Sequence, residues 1–131
     1  DHQDHFEETV RYLLQEGAPI TVLGMQGHFG GTVPPPERML ATLERYAAFG
    51  LPIRVTEFTV RTDDEELRAD FLRDAMTVLF SHELVNGIYA WSLLGQDQGG
   101  APDRAILEDD GRLKLRGKVW MYLMNIRWWT D

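Results

Sequence analysis

Apolar and polar positions along the chain alternate between two periods. Phe6, Val10, Leu13 and Leu14 fall at i, i+4, i+7 and i+8, the stripe of an amphipathic helix, and Gly17 closes it. Ile20 to Leu23 is short and apolar and predicts the first strand. Gly30-Gly-Thr-Val-Pro-Pro-Pro36 is a loop whose prolines suit the approach to a helix's first turn. Met39, Leu40, Leu43 and Ala47 mark that helix, stopped by Gly50, and Leu51 to Phe58 is the second strand. Thr62-Asp-Asp-Glu65 has the form of a capping box and opens a third helix through Leu67, Phe71, Leu72, Ala75, Met76 and Leu79. Asn86-Gly87 turns the chain into a third strand, Ile88 to Trp91. A polar loop, Gln96 to Asp103, and a tight turn at Asp109-Asp-Gly111 lead to a last helix from Lys114 to about Trp129, with Leu115, Val119, Leu123 and Ile126 on one side.

The predicted order is αβαβαβα, and strands this short and apolar are those of a parallel sheet covered by helices. Three parallel strands cannot close a barrel and leave two bare edges, so either further strands or another copy of the chain must cover them. The chain opens abruptly with Asp-His-Gln-Asp-His directly before a helical pattern, as if cut from something longer. Inward side chains such as Val22, Val55 and Ile88 are expected to face water in such a piece, so a chain folded alone is expected to be a homo-oligomer.

Each predicted strand ends in groups that a buried strand does not need. Leu51-Pro-Ile-Arg-Val-Thr-Glu-Phe-Thr-Val60 carries Glu57 at its far end, and an ionised carboxylate gains nothing from burial unless a site uses it. The first strand runs into Gln26 and His28, and the third ends in Trp91. Polar and aromatic groups gathered at the C-terminal ends of parallel strands are how a β/α barrel builds its active site.

Composition narrows the chemistry. The 131 residues are 44% hydrophobic and 26% charged, with a formal net charge of −8. That balance argues against a nucleic-acid or anionic-membrane partner. There is no cysteine, hence no disulfide framework and no Cys-based metal site. No apolar run is long enough to span a bilayer and no signal peptide is visible. His2 and His5 sit at a terminus without further ligands and His82 on a helix, so all three read as structural and no metal is expected. Pro34-Pro-Pro36 reads as a rigid loop rather than a polyproline ligand, and Asp63 to Glu66 as a solvated helix start that suits the helix dipole.

Three motifs together resemble glycoside hydrolase family 10, the retaining β-1,4-xylanases. Leu23-Gly-Met-Gln-Gly-His-Phe29 resembles the family's sixth-strand Ile-Gly-x-Gln-x-His motif, and Pro52-Ile-Arg-Val-Thr-Glu-Phe58 its seventh-strand Ile-Thr-Glu-Leu motif. Gly87-Ile-Tyr-Ala-Trp-Ser92 resembles the eighth-strand motif, and Glu108-Asp-Asp-Gly111 before Lys114 the family's end. The resemblance implies an α/β fold, a partial (β/α)8 TIM barrel holding about the last three β/α units, parallel strands six to eight. Residues 1–131 would then be the C-terminal portion of a glycoside hydrolase barrel domain, its N-terminal part absent from this chain.

The resemblance also assigns roles. Glu57 takes the place of the nucleophile in cleaving β-1,4-linked plant polysaccharide such as xylan, and Trp91 lines the sugar site. His28 is placed to hydrogen-bond and orient Glu57, and Gln26 to donate to a sugar hydroxyl or to the other carboxylate. No cofactor is implied, because a carboxylate pair does the chemistry. A secreted or periplasmic location would follow. The chain departs from the pattern in places. Ser92 follows Trp91 where Gly is usual, Gly95 stands where an Asp is usual, and Gly99-Gly-Ala-Pro102 replaces a loop that often carries a second Trp. Phe58 follows Thr-Glu where Leu-Asp is common. The fourth-strand Asn-Glu motif that supplies the acid/base is absent, so the fragment alone is expected to be inactive. The alternative is a non-catalytic carbohydrate-binding or assembly module derived from such a barrel. Trp120, Trp128 and Trp129 are expected to pack on the barrel exterior or a partner.

Overall fold

The computed structural model describes residues 1–94 and 104–130. The predicted polar loop, Gly95 and Gly99 to Pro102 therefore lie outside the described residues. Helix α1 (His2–Gln15) precedes two short strands, β1 (Leu23–Met25) and β2 (His28–Gly30). Then follow α2 (Pro36–Ala47), β3 (Ile53–Arg61), α3 (Glu65–Ser81), β4 (Val85–Ala90) and α4 (Leu115–Tyr122), the last continuing as a π-helical turn over Leu123–Arg127.

All strand pairings among the described strands are parallel, and β3 is the centre. β1 pairs with its first half, Leu23 opposite Ile53, and β2 with its second half, His28 opposite Thr59. β4 pairs along its other side, Val55 opposite Ile88 and Phe58 opposite Ala90. The sheet is open, with β1–β2 and β4 as its edges.

The first predicted strand is displaced. Pairing begins at Leu23, whose N–H donates to the Pro52 carbonyl at 2.8 Å, so Ile20 to Val22 run ahead of the ladder. The capping box is also shifted: Asp64 is the N-cap of α3 and accepts from the Glu66 and Leu67 N–H groups, while Thr62 Oγ1 accepts from the Asp64 N–H. α4 buries only part of the side read from the sequence, Leu123 in the core and Val119 packed against it. Leu115 and Ile126 are exposed, whereas Arg116, Gly117 and Leu123 are buried. A Cβ on Gly117 would lie 2.3 Å from the Ile106 carbonyl oxygen, so only glycine lets the helix approach there.

One face of the sheet holds the core. Leu23, Ile53, Val55, Phe58 and Val60 pack against Leu43 and Tyr46 of α2, and Phe71, Leu72, Met76 and Leu79 of α3. Trp120 joins this layer through Phe58, at 6.0 Å between ring centroids, and Trp128 stacks on Phe80 at 4.2 Å.

The opposite, inner face overturns the expectation of bare apolar side chains. Val55 is only 1% exposed, on the helix side, and Val22 and Ile88 are partly buried. The inner positions opposite the helices carry Gly24, Arg54, Thr56, Gly87 and Tyr89 instead. Arg54 Nε donates to Asn86 Oδ1 at 3.1 Å, and the Tyr89 ring lies over Gly87, where a Cβ would come within 2.9 Å of it.

Candidate active site

β3 is not a regular strand. Ile53 and Val55 face the helices and Arg54 and Thr56 face inward, but the next helix-facing residue is Phe58 rather than Glu57. Thr56 and Glu57 therefore occupy the inner face together. The pairing register slips by one residue against both neighbours across this point, from Met25–Val55 to His28–Thr59 on one side and between Val55 and Phe58 on the other. This is a β-bulge, a device that re-aims a side chain where a strand's regular alternation would bury it. Two adjacent polar residues between Val55 and Phe58 are its trace in the sequence, and the reading of a plain strand passed over it.

The neighbouring chain accommodates the bulge through Gly27. Its φ of +80° is in the left-handed region, and a Cβ there would lie 2.4 Å from Val55 Cγ1. The backbone stays bonded across the gap, the Glu57 N–H donating to the Gln26 carbonyl at 2.8 Å and the Thr59 N–H to the Gly27 carbonyl at 3.1 Å. Beyond Gly27 the chain turns His28 inward, to the face of Glu57.

His28 Nε2 lies 2.9 Å from Glu57 Oε2. Glu57 is about three-quarters covered, at 24% side-chain exposure. Trp91 follows β4 on the far side, its N–H bonded to the Phe58 carbonyl at 3.1 Å, and its ring meets the His28 ring edge to face at 5.6 Å. Trp91 remains 38% exposed, so part of its surface is open to a ligand. Glu57 is the sole Asp or Glu within the four strands. Gln26 lines a groove of about 690 Å³ along the β1–β2 edge, together with His28, Phe6, Met39 and Tyr46. Glu57 does not line that groove. The groove is the gap beside an open sheet edge, whereas the carboxylate, imidazole and indole converge at the strand ends.

The segment beyond Trp91 is pinned by groups that pattern reading missed. Ser92 is buried, its hydroxyl donating to the Leu94 carbonyl at 3.0 Å. The returning chain pairs with it, the Ile106 N–H donating to the Ser92 carbonyl and the Leu107 N–H to the Leu93 carbonyl. Arg116, 2% exposed, donates from Nε to the Ala105 carbonyl at 2.8 Å, with Glu65 3.6 Å from its guanidinium. A charge so deeply buried signals a fixed structure. His82 is buried after α3, Nδ1 accepting from the Leu84 N–H, and stands apart from the site.

The sequence model of Glycosyl hydrolase family 10 matches residues 2–100. The chain belongs to this family. Endo-1,4-beta-xylanase 1 of Arabidopsis thaliana is 35% identical over 67% of this chain and 9% of its own length. The anti-sigma-I factor RsgI6 of Acetivibrio thermocellus is 33% identical over 92% of this chain and 16% of its own length. This chain thus spans under a fifth of either relative. Among solved structures, the Clostridium thermocellum endo-1,4-beta-D-xylanase 10B modules complexed with xylohexaose superpose with a TM-score of 0.80, at 15% identity, covering 98% of this chain and 28% of that one. Xylanase 10B of Thermotoga petrophila in complex with xylobiose gives 0.75, at 18% identity, covering 95% and 42%. The fold of this family 10 chain is therefore that of an α/β barrel portion with an unclosed sheet.

Proposed function

We propose that this chain carries the nucleophile side of a retaining glycosidase site, acting on β-1,4-linked xylan within a longer protein. The observation that carries this reading is the carboxylate of Glu57, turned inward by the bulge, held by His28 at 2.9 Å and flanked by Trp91. Retention needs two carboxyl groups about 5–5.5 Å apart, one attacking and one exchanging protons with the leaving oxygen and then with water. Glu57 is the attacker, and the acid/base comes from strands outside this chain. Trp91 supplies the flat face on which a pyranose stacks, and Gln26 a donor to a sugar hydroxyl. The substrate is a polymer, so we place the protein outside the cytoplasm, secreted or periplasmic. The open edges of β1–β2 and β4 favour association between copies when the chain folds alone.

Glu57→Gln in the longer protein tests the nucleophile. It keeps size and shape, so melting temperature and xylan binding stay, while turnover falls by roughly 10⁴-fold or more. Retained turnover overturns the assignment. The chain alone is expected to hydrolyse no xylan.

A second reading is a carbohydrate-binding or regulatory module. It is supported by the relative named as an anti-sigma factor, which matches 92% of this chain against 67% for the Arabidopsis xylanase. Xylan binding without hydrolysis by the unmutated longer protein, unchanged by Glu57→Gln, would establish it.

A further inference from the structure

Arg116 is buried on α4, and an arginine enters an interior only where its charge is paired and its N–H groups are used. Its backbone N–H donates to Glu65 Oε1 at 3.3 Å, and its guanidinium stands 3.6 Å from Glu65 Oε2. That same oxygen accepts from Nη1 of Arg68, also buried, at 3.1 Å. One carboxylate at the start of α3 thus meets two arginines, one from its own helix and one from α4. Arg116 Nε donates to the carbonyl of Ala105, a fully buried residue, at 2.8 Å. The next carbonyl, that of Ile106, accepts from the Lys114 N–H at 3.1 Å. Residues 105 and 106 are therefore tied to the start of α4.

The same segment holds the chain beyond β4. The Trp91 N–H reaches the Phe58 carbonyl on β3, and the next two residues are held from the other side. There the Ile106 N–H donates to the Ser92 carbonyl at 3.4 Å and the Leu107 N–H to the Leu93 carbonyl at 3.1 Å. The Trp91 ring is part exposed and meets His28 only edge to face, so its direction depends on the backbone that carries it.

We propose that Glu65 and Arg116 are positioning residues for the sugar platform. Their ion pair fixes residues 105 to 107, these fix Ser92 and Leu93, and the pairing sets the angle at which Trp91 presents its face to a pyranose of xylan. A buried pair holds only while both partners stand, because removing one leaves the other charge uncompensated. The sugar contact rests on the reading of Trp91 given above; the link from Arg116 to Trp91 does not, so the two are read separately.

The longer protein is labelled with 5-fluorotryptophan in the Glu57→Gln background, where xylohexaose is bound without turnover. The Trp91 fluorine resonance is assigned by its loss in Trp91→Phe. It should move or broaden in Arg116→Met and in Glu65→Gln, and each change should weaken xylohexaose binding by about fivefold or more. In a Trp91→Ala background Arg116→Met should cost no further affinity, because the contact through which it acts is gone. An unmoved Trp91 resonance overturns the proposal. So does an affinity loss from Arg116→Met that persists in full without the Trp91 ring, or an unchanged affinity where Trp91→Ala does weaken binding. If Arg116→Met does not fold, Glu65→Gln, which keeps size and an acceptor oxygen, decides by the same readouts. If Trp91→Ala leaves affinity intact while the resonance moves in Glu65→Gln, the sugar role of Trp91 falls and the link from the ion pair to Trp91 stands.

Discussion

Gly27 ties the geometry of the site to a single missing side chain. Any other residue must hold a φ of +80° and place a Cβ 2.4 Å from Val55 Cγ1. The left-handed conformation costs about 1–2 kcal/mol for an L-residue, and overpacking a filled interior typically about 1–3 more. Gly27→Ala should therefore lower the unfolding free energy by a few kcal/mol in urea titration, with the His28–Glu57 contact perturbed. Residue identity is the most legible level of this molecule: strand-end chemistry points to Glu57, His28, Gln26 and Trp91, and the structure gathers Glu57, His28 and Trp91 while Gln26 lines the groove along the β1–β2 edge. What pattern could not show was height and partner. Thr59 reads as an ordinary β-branched strand residue, and only the pairing register reveals that it sits beside His28.

At the scale of elements, helices were read more faithfully than strands, because a helix writes its buried face in its own sequence while a parallel strand takes its limits from a neighbour. β1 begins at Leu23 because β3 begins at Ile53, and β2 exists only because β3 runs on to Arg61. α4 is the exception among helices. Its buried side includes Arg116 and Gly117, a charge and a missing side chain that no hydrophobic pattern selects. The N-cap of α3 is local and testable: Asp64 accepts from two backbone N–H groups at 2.9 and 3.1 Å, and Asp64→Ala should cost about 1 kcal/mol, read from the urea midpoint. α1 is clamped to α2 by Arg45, which donates to Asp4 and Glu7. The Asp4 carboxyl is held below its ordinary value of 3.8, first by the hydrogen bond from the Asp1 amino group and then by Arg45. A depressed folded-state value stabilises the fold above pH 3.8 and ceases to do so as pH falls through it. Arg45→Met should accordingly lower the melting temperature at pH 7, and its gap from the unmutated chain should narrow in scans below pH 3.8.

For the molecule as a whole, the decisive fact is where the apolar area lies. The helices and one sheet face form the core, so a chain of this length holds together without apolar contacts across the inner face. Leu43 is 1% exposed at its centre, and Leu43→Ala should cost about 2–5 kcal/mol, a large part of a typical stability of about 5–15, as measured by chemical denaturation. The inner face lacks the aliphatic side chains that would drive face-to-face association, and the strand edges remain open, so oligomers formed through the sheet should join edge to edge. Sedimentation equilibrium combined with a β4-edge substitution, Asn86→Pro, checks this: the proline should shift the distribution toward monomer.

The bulge in β3 also means that the strand contains one residue more than β1 and β2 require, while against β4 it offsets an opposite slip between Ile53 and Arg54. Removing Thr56 would leave every later side chain on the face it now occupies, with Glu57 still inward and Phe58 still outward, and would restore an even ladder toward β1 and β2, leaving toward β4 the single slip between Ile53 and Arg54. A codon deletion, usually the harshest change a buried strand can suffer, is here expected to leave a cooperatively melting protein. Only the level of Glu57 along the strand would change, so the spare residue is the part of β3 kept for chemistry rather than for folding.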